Sequence, residues 1–120
     1  VPAIMTGSGD TIAIGGCGGR RILPAVFQLL AMSVDFGFDL ERAFHQPRID
    51  VSGLDVVVAD RRMPVATIEA LSAQYATVIA EPVEFPYPFT IAGAVRSRAG
   101  INEGASEPQH PWSEAVAEDA

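Results

Sequence analysis

A glycine-rich stretch near the start of the chain places the strongest constraint on its fold. Glycine occupies positions 15, 16, 18 and 19, between the short apolar run Ile12–Ile14 and a long apolar run that begins at Ile22. Four glycines in five positions allow positive φ angles and let another group approach the backbone closely. The pattern predicts a strand, a tight turn and then a helix whose first N–H groups have no partner within the helix. Such N–H groups suit an anion or a developing oxyanion.

The residues of this turn narrow the kinds of site that it could form. No Gly-Lys-Ser/Thr sequence follows the glycines, and the chain contains no lysine, which argues against a P-loop. A dinucleotide-binding turn would need glycine or alanine at position 21, where Arg21 stands. Two interpretations remain. Either the N–H groups of Gly18 and Gly19 stabilise a tetrahedral intermediate, or the glycines only let a strand and a helix pack closely.

The rest of the sequence predicts an α+β domain in which strands form hairpin pairs and helices lie between the pairs. A largely buried helix is expected from Arg20 to about Val34, because its apolar residues cover more than one face. Gly37 is expected to end this helix and Asp39 to cap the next. The other expected elements are strands at 1–5, 11–14, 56–59, 77–79, 89–96 and 101–105, and helices at 40–45 and from Pro64 onward.

Length and charge limit the number of domains and the class of partner. The chain has 120 residues, of which 48% are hydrophobic, which fits one domain over 1–106 followed by a loose polar tail over 107–120. Three prolines predict an extended loop or an edge strand over 81–88. A net charge of −7 argues against nucleic acid as the main partner. No apolar run approaches the ~18 residues of a membrane-spanning helix, and no signal peptide is visible.

The remaining candidate residues carry weaker signals. Cys17 at a helix start could be a reactive thiol, but no histidine lies nearby in sequence, so a small apolar role is favoured. His45 is interpreted as a helix-end residue and His110 as a solvent-exposed one, because neither has metal-ligand spacing. Three aspartates between positions 50 and 60 are spread over strand ends and turns, which does not favour a paired acid and base. No metal and no cofactor are therefore expected.

Four segments resemble motifs of the γ-glutamyltranspeptidase family, in the family's order. The glycine stretch Gly15–Ile22 resembles its Gly-x-Pro-Gly-Gly-Ser-Arg-Ile motif, and Val34–Leu40 resembles its Ile-Asp-Tyr/Phe-Gly segment. Ala43–Ile49 is similar to its Ala-x-x-x-Pro-Arg-Phe/Ile, and Gly104–Pro108 to its closing Gly-Ala-Ser-Asp-Pro. The resemblance covers roughly residues 2–108 and corresponds to the last part of the family's small subunit.

The resemblance implies a function and a fold. Members cut themselves from a precursor, and the new N-terminal threonine attacks γ-glutamyl amides such as glutathione, then passes the glutamyl group to water or an amino acid. The implied fold is the αββα sandwich of N-terminal nucleophile hydrolases, with an antiparallel sheet and helices on one face. Gly18 and Gly19 match the positions whose N–H groups form the family's oxyanion hole. The threonine is expected outside this chain, so the 120 residues alone are expected to be inactive.

The resemblance also implies partners and a compartment. The remainder of the enzyme, meaning the large subunit and the first part of the small subunit, is the expected partner, together with a γ-glutamyl small molecule. Because a partial sandwich leaves apolar surface uncovered, a homodimer of the fragment is possible. Members are often periplasmic or secreted, although the sequence itself does not indicate a compartment.

Departures from the family motifs leave the substrate open. Cys17 stands in place of a proline, and Arg20 in place of a small polar residue. Arg20 at the edge of the pocket could favour acidic substrates, or it could be a solvated helix-start residue. The match is poor after Phe85, so acceptor preference is undecided. A non-catalytic interaction domain of the same fold and a β-lactam acylase-like relative are the alternatives.

Overall fold

A computed structural model of the chain describes residues 2–53, 55–83 and 87–116. Seven strands and three helices follow one another along this part of the chain. Val1 of the first expected strand, Pro86 of the expected loop and the end of the tail lie outside the described residues. The elements are β1 (Ala3–Gly7), β2 (Asp10–Cys17), α1 (Ile22–Val34), α2 (Leu40–His45), β3 (Ile49–Asp50), β4 (Val57–Asp60), α3 (Val65–Ser72), β5 (Thr77–Ala80), β6 (Ile91–Arg98) and β7 (Ile101–Ser106).

Two hairpins build the main sheet, in agreement with the hairpin pairs that the sequence predicts. The strand order is β1-β2-β6-β7, and every neighbouring pair is antiparallel. The first hairpin turns at Ser8 and Gly9, with φ angles of 50° and 76°, and the second at Ala99 and Gly100, with φ angles of 52° and 78°. Positive φ at both central residues is the geometry that follows the right-handed twist of paired strands. The predicted α+β class with an antiparallel sheet is confirmed.

Helices α1 and α2 pack on one face of this sheet and form the core with it. Ile12 and Ile14 alternate along β2 toward the helices and are buried. They join Leu29 of α1, Phe44 of α2 and Ala94 of β6 in a single buried cluster. Burial of such side chains contributes about 1.5–3 kcal/mol each.

Helix α1 buries one face only, which corrects the expectation that it is largely buried. Leu29 is 1% exposed, but Leu23 and Phe27 are 68% and 70% exposed. The apolar residues do cover more than one face of the helix, but within the described chain the sheet reaches just the face that carries Ala25, Val26 and Leu29. The second apolar face is therefore available for another layer of protein.

The sequence between α1 and α2 forms the expected helix boundary. Gly37 has a φ of 68° and follows the end of α1 at Val34. The Asp39 carboxylate accepts a hydrogen bond from the Arg42 N–H at 2.7 Å, which caps the first turn of α2. His45 is the last residue of α2, as predicted, and its Nδ1 donates to the Glu41 carbonyl oxygen at 2.8 Å.

A second, smaller sheet was not predicted in this form. Its order is β3-β4-β5, and β4 pairs with β5 in parallel, Val57 opposite Thr77 and Asp60 opposite Ala80. Parallel strands need a crossover connection, and α3, which begins directly after Pro64, supplies it. Both strands were expected, but pairing depends on contacts distant in sequence. The assumption that strands occur only in hairpin pairs is wrong here.

The face of the main sheet opposite the helices is apolar and carries small side chains. One row across the strands consists of Ile4, Ala13, Val95 and Gly104, and the next contains Gly15, Gly93 and Ser106. Ile4 is 74% exposed and Val95 is 58% exposed. A shallow cavity of about 560 Å³ lies along these rows, and the tail residues Glu114, Ala115 and Val116 also line it.

The start of the tail is anchored rather than loose, which corrects the expectation for its first residues. Glu107 is 5% exposed, its N–H donates to the Ala92 carbonyl oxygen at 2.9 Å, and its carboxylate pairs with Arg48. His110, expected to be exposed, is half-buried with its ring 4.8 Å from that of Tyr87. Within the described ranges, no helix is long and apolar enough to cross a membrane.

The first hairpin is tied to β6 by an ion pair that makes stability depend on pH. Arg96 is buried and donates from Nε to Asp10 Oδ1 at 2.9 Å, and a second hydrogen bond joins Nη2 to Oδ2. The hydrogen bonds from Arg96 hold the pKa of Asp10 below its ordinary value, against the opposing effect of burial. A carboxyl group whose pKa is lower in the folded state stabilises the protein above its unfolded-state pKa of about 3.9.

We expect Asp10→Asn to lower the melting temperature at pH 7. Because protonation removes the same charge from Asp10, the difference between variant and wild type should shrink as the pH falls below about 4. Thermal unfolding measured from pH 7 to pH 2.5 checks this, with the exposed α3 residue Glu69 changed to Gln as a control. A difference that stays constant over the whole range would contradict the assignment.

Candidate functional site: the glycine corner

The turn between β2 and α1, here called the glycine corner, consists of residues 15–19. Strand β2 continues through the first half of the corner, with Cys17 opposite Ile91 of β6. The chain then turns at Gly18, with a φ of 148°, and at Gly19, with a φ of 61°. A single 3-10 turn over Gly19–Arg21 leads into α1. Residues with a Cβ atom rarely adopt these φ angles, so both positions favour glycine, and Gly18 more strongly than Gly19.

The N–H groups of Gly18 and Gly19 are available for a ligand. Both residues are exposed, and neither amide donates a hydrogen bond to another residue of the described chain. The first hydrogen bonds of the turn come later, from the Arg21 N–H to the Gly18 carbonyl oxygen at 3.3 Å and from Ile22 to Gly19. Free amide donors at the start of a helix are groups that can bind an anion.

Close packing explains two of the glycines, although the packing partner differs from the helix that the sequence interpretation proposed. A Cβ atom at Gly16 would lie 2.8 Å from Thr90 Cγ2, and one at Gly18 would lie 2.9 Å from Thr90 Oγ1. At Gly19 a Cβ would meet no atom within 4 Å. The group that approaches the corner is thus Thr90, just before β6, rather than the following helix.

Arg20 and Cys17 are exposed beside the corner. Arg20 makes no ion pair with any residue in the described ranges. It stands at one end of a mostly apolar groove of about 620 Å³ between α1 and the segment after β3. The groove is lined by Arg20, Leu23, Pro24, Phe27, Gln28, Ile49, Val51 and Ser52.

A buried ion pair holds the backbone next to Thr90, and the sequence analysis assigned no role to it. Arg48 is 3% exposed, and its Nη2 pairs with the Glu107 carboxylate and donates to the Phe89 carbonyl oxygen at 3.2 Å. Arg21 Nη1 donates to the Tyr87 carbonyl oxygen at 3.4 Å, and Arg21 Nε lies 3.4 Å from Asp50 Oδ2. The signal was present, since Arg48 and Glu107 both lie within segments that match family motifs.

The aspartates and histidines of the described chain do not form a cluster that could hold a metal ion. Asp50 pairs with Arg21, and Asp60 pairs with Arg62 at 2.5 Å. Among residues 2–53, 55–83 and 87–116, no group of three or more His, Cys, Asp or Glu side chains could hold a metal ion. The glycine corner therefore remains the candidate site in the described part of the chain.

Known structures show the same fold. A γ-glutamyltranspeptidase from Pseudomonas nitroreducens, complexed with L-DON, superposes with a TM-score of 0.75 at 23% identity, over 98% of this chain and 62% of that chain. A T380A mutant of the Helicobacter pylori γ-glutamyltranspeptidase gives 0.76 at 21% identity, over 92% and 60%. A cephalosporin acylase from Bacillus halodurans gives 0.77 at 19% identity, over 90% of this chain and 20% of that chain. The search of curated proteins gave no match.

These structures are N-terminal nucleophile hydrolases, so the expected fold is confirmed. The chain spans about three fifths of the two transpeptidase chains and thus corresponds to a segment of a larger enzyme. The sequence model of the γ-glutamyltranspeptidase family matches residues 1–117. With the fold and nearly the whole sequence in agreement, the chain belongs to the γ-glutamyltranspeptidase family.

Proposed function

We propose that this chain is the C-terminal part of the small subunit of a γ-glutamyltransferase or γ-glutamyl hydrolase, and that its glycine corner is the oxyanion hole. The observation that carries the proposal is the pair of exposed N–H groups at Gly18 and Gly19, which have no other partner in the described chain. They stand at the position of the family motif and at the start of a helix. The implied substrates are γ-glutamyl amides such as glutathione.

In the proposed reaction, these two amides stabilise the oxyanion that forms in each of two steps. A threonine hydroxyl from outside this chain attacks the γ-carbonyl carbon, and the carbonyl oxygen becomes negatively charged. The Gly18 and Gly19 N–H groups donate to that oxygen. When the C–N bond breaks, the amine leaves with a proton and a glutamyl ester remains on the threonine. Water or an amino acid then attacks the ester, and the same two donors stabilise the second oxyanion. The ester C–O bond breaks, and the threonine oxygen regains a proton from the attacking group.

The remainder of the enzyme is the proposed partner, and two uncovered surfaces support this. The outer face of the main sheet is apolar over the rows that contain Ile4 and Val95. The second apolar face of α1, with Leu23 and Phe27, is also exposed. Apolar surfaces of this kind are rarely left in water, so further layers of the sandwich should cover them. In the isolated chain, a homodimer is the alternative way to cover them.

The decisive experiment measures which acyl group the full enzyme transfers. We expect the enzyme that contains this chain to release p-nitroaniline from L-γ-glutamyl-p-nitroanilide, faster when glycylglycine is added as acceptor. The isolated 120-residue chain should release none, because the attacking threonine lies elsewhere. Preference for a glutaryl or cephalosporin side chain would favour the acylase alternative, and no acyl transfer at all would favour a non-catalytic interaction domain.

We further propose that Arg20 binds an acidic group of the substrate from the rim of its groove. Arg20→Gln should raise KM for the γ-glutamyl anilide about threefold to fivefold and leave kcat within twofold, since an exposed charge pair contributes up to about 1 kcal/mol. Steady-state kinetics at low salt check this. The control is Arg98→Gln, which removes a 58%-exposed arginine at the far end of β6. An unchanged KM would leave Arg20 as a solvated helix-start residue.

A further inference from the structure

Thr90 adopts a backbone conformation that its side chain makes unfavourable. Its φ is 68°, in the left-handed region, and threonine is branched at Cβ. Ser8 and Ala99 also have positive φ, but they lie in hairpin turns and neither is branched at Cβ. A β-branched residue at positive φ outside such a turn is a genuine outlier. Conformations of this kind persist where the surrounding structure enforces them, and they concentrate at functional sites.

The Thr90 hydroxyl is also buried without compensation. Thr90 is 2% exposed, and its Oγ1 has no hydrogen-bond partner among the described residues. Buried hydroxyl groups are normally hydrogen-bonded, because loss of water without a new partner costs free energy. The positive φ and the unpaired hydroxyl of Thr90 each raise the free energy of the folded state. Packing of the core gives no reason for either.

The position of Thr90 offers an explanation for both costs. Its two γ atoms lie against the glycine corner, where Cγ2 faces the Cα of Gly16 and Oγ1 faces that of Gly18 at distances that leave no room for a Cβ. Gly18 is the residue at which the chain leaves β2, with a φ of 148°. The peptide groups on either side of the Gly18 Cα carry the N–H groups of Gly18 and Gly19, so the Thr90 side chain meets the backbone between these two amides.

Thr90 cannot move away from this contact. On one side Ile91 begins β6 and pairs with Cys17. On the other side Phe89 is buried, and its carbonyl oxygen accepts a hydrogen bond from the buried Arg48. Because Thr90 is fixed on both sides, its side chain acts as a steric stop, which prevents the backbone of the glycine corner from moving toward it.

We propose that Thr90 is a positioning residue that holds the Gly18 and Gly19 amides in the direction an oxyanion requires. The inference rests on the proposed oxyanion hole and adds a residue that the family motif in this sequence does not contain. The effect is steric: the branched side chain keeps Gly18 at its φ of 148°. The unfavourable φ and the orphaned hydroxyl are consequences of placing a branched side chain at that point.

The test compares two Thr90 variants in the full enzyme. Thr90→Gly removes the stop and relieves the φ, and should lower kcat for the γ-glutamyl anilide at least tenfold with KM within threefold. Thr90→Val keeps the branched shape without the hydroxyl, and should keep kcat within threefold of wild type. Rates are expressed per active site, counted with a glutamine analogue that alkylates the nucleophile, so that loss of folded or processed enzyme does not lower the value.

Each outcome decides the question. Wild-type kcat in Thr90→Gly would overturn the proposal, and so would an equal loss in the glycine and valine variants, because the hydroxyl would then be what matters. If Thr90→Gly does not fold, Thr90→Ser replaces it. The serine variant lacks the methyl group that packs against Gly16, so kcat should fall about threefold. An unchanged kcat in that variant would overturn the proposal. A Gly19→Pro variant measured alongside tests the oxyanion hole separately. Full activity of that variant would contradict the oxyanion hole itself, whereas loss of activity there with wild-type activity in Thr90→Gly would contradict only the role of Thr90.

Discussion

Proline at position 19 should lower the turnover number of the full enzyme at least a hundredfold. Proline has no N–H group, so one of the two proposed donors to the oxyanion disappears. Loss of one such donor typically costs about 2.7–4 kcal/mol of transition-state stabilisation. KM for the γ-glutamyl anilide should change much less, since the donors act on the charged intermediate rather than on the neutral amide. Turnover per labelled active site is the quantity to measure.

Backbone strain needs its own control, because proline cannot adopt the φ of 61° at Gly19. Gly19→Ala keeps the N–H group, and its Cβ would meet no atom within 4 Å, so it reports the strain alone. Gly100→Ala is the matched variant in a distant hairpin, with a φ of 78° and the same open space. We expect less than a tenfold loss for Gly19→Ala and none for Gly100→Ala. Near-normal turnover in Gly19→Pro would show that the donors lie elsewhere.

Replacement of Arg48 by methionine should produce the largest loss of stability. The change leaves the Glu107 carboxylate, 5% exposed, without its partner, and removes the hydrogen bond to the Phe89 carbonyl oxygen. Breaking a buried ion pair from one side typically costs about 3–5 kcal/mol. The expected result is a markedly lower melting temperature or a failure to accumulate folded enzyme, measured by thermal or urea unfolding.

An exposed ion pair provides the comparison. Arg61 pairs with Glu81, but the two side chains are 63% and 39% exposed, so Arg61→Met should change stability by no more than about 1 kcal/mol. The double variant Arg48→Met with Glu107→Leu removes both charges and should recover much of the lost stability. Equal effects of Arg48→Met and Arg61→Met would contradict the view that burial makes the first pair important.

Local chemistry was readable from the sequence, and long-range pairing was not. Asp39 and Gly37 act within a few residues, so their effects follow from general preferences and appear as predicted. The parallel pairing of β4 with β5 depends on a crossover that the sequence does not specify locally. The exposed face of α1 differs from expectation because the sequence shows which residues are apolar but not whether a second layer is present.

The candidate site likewise contains residues that a local sequence pattern indicates and residues that only the fold brings together. The sequence located Gly18 and Gly19 because a glycine pattern is local and matches a motif. Thr90 sits about seventy positions away along the chain, and a threonine before a strand carries no signal of its own; only the fold places it against Gly18. The polar composition after residue 106 placed Glu107 in a tail. The sequence does not show that its carboxylate pairs with the buried Arg48, which belongs to another motif.

The row of Gly15, Gly93 and Ser106 on the outer face of the main sheet has a consequence for assembly. Facing sheets normally stand about 10 Å apart, with side chains from both filling the gap at the density of a crystal. This row contributes almost no volume, so the opposite layer has to supply bulk, such as leucine or aromatic side chains seated in the furrow. The two layers are thus complementary in shape, with large side chains of one layer filling the low row of the other. A large residue introduced at Gly93 would keep the two layers apart.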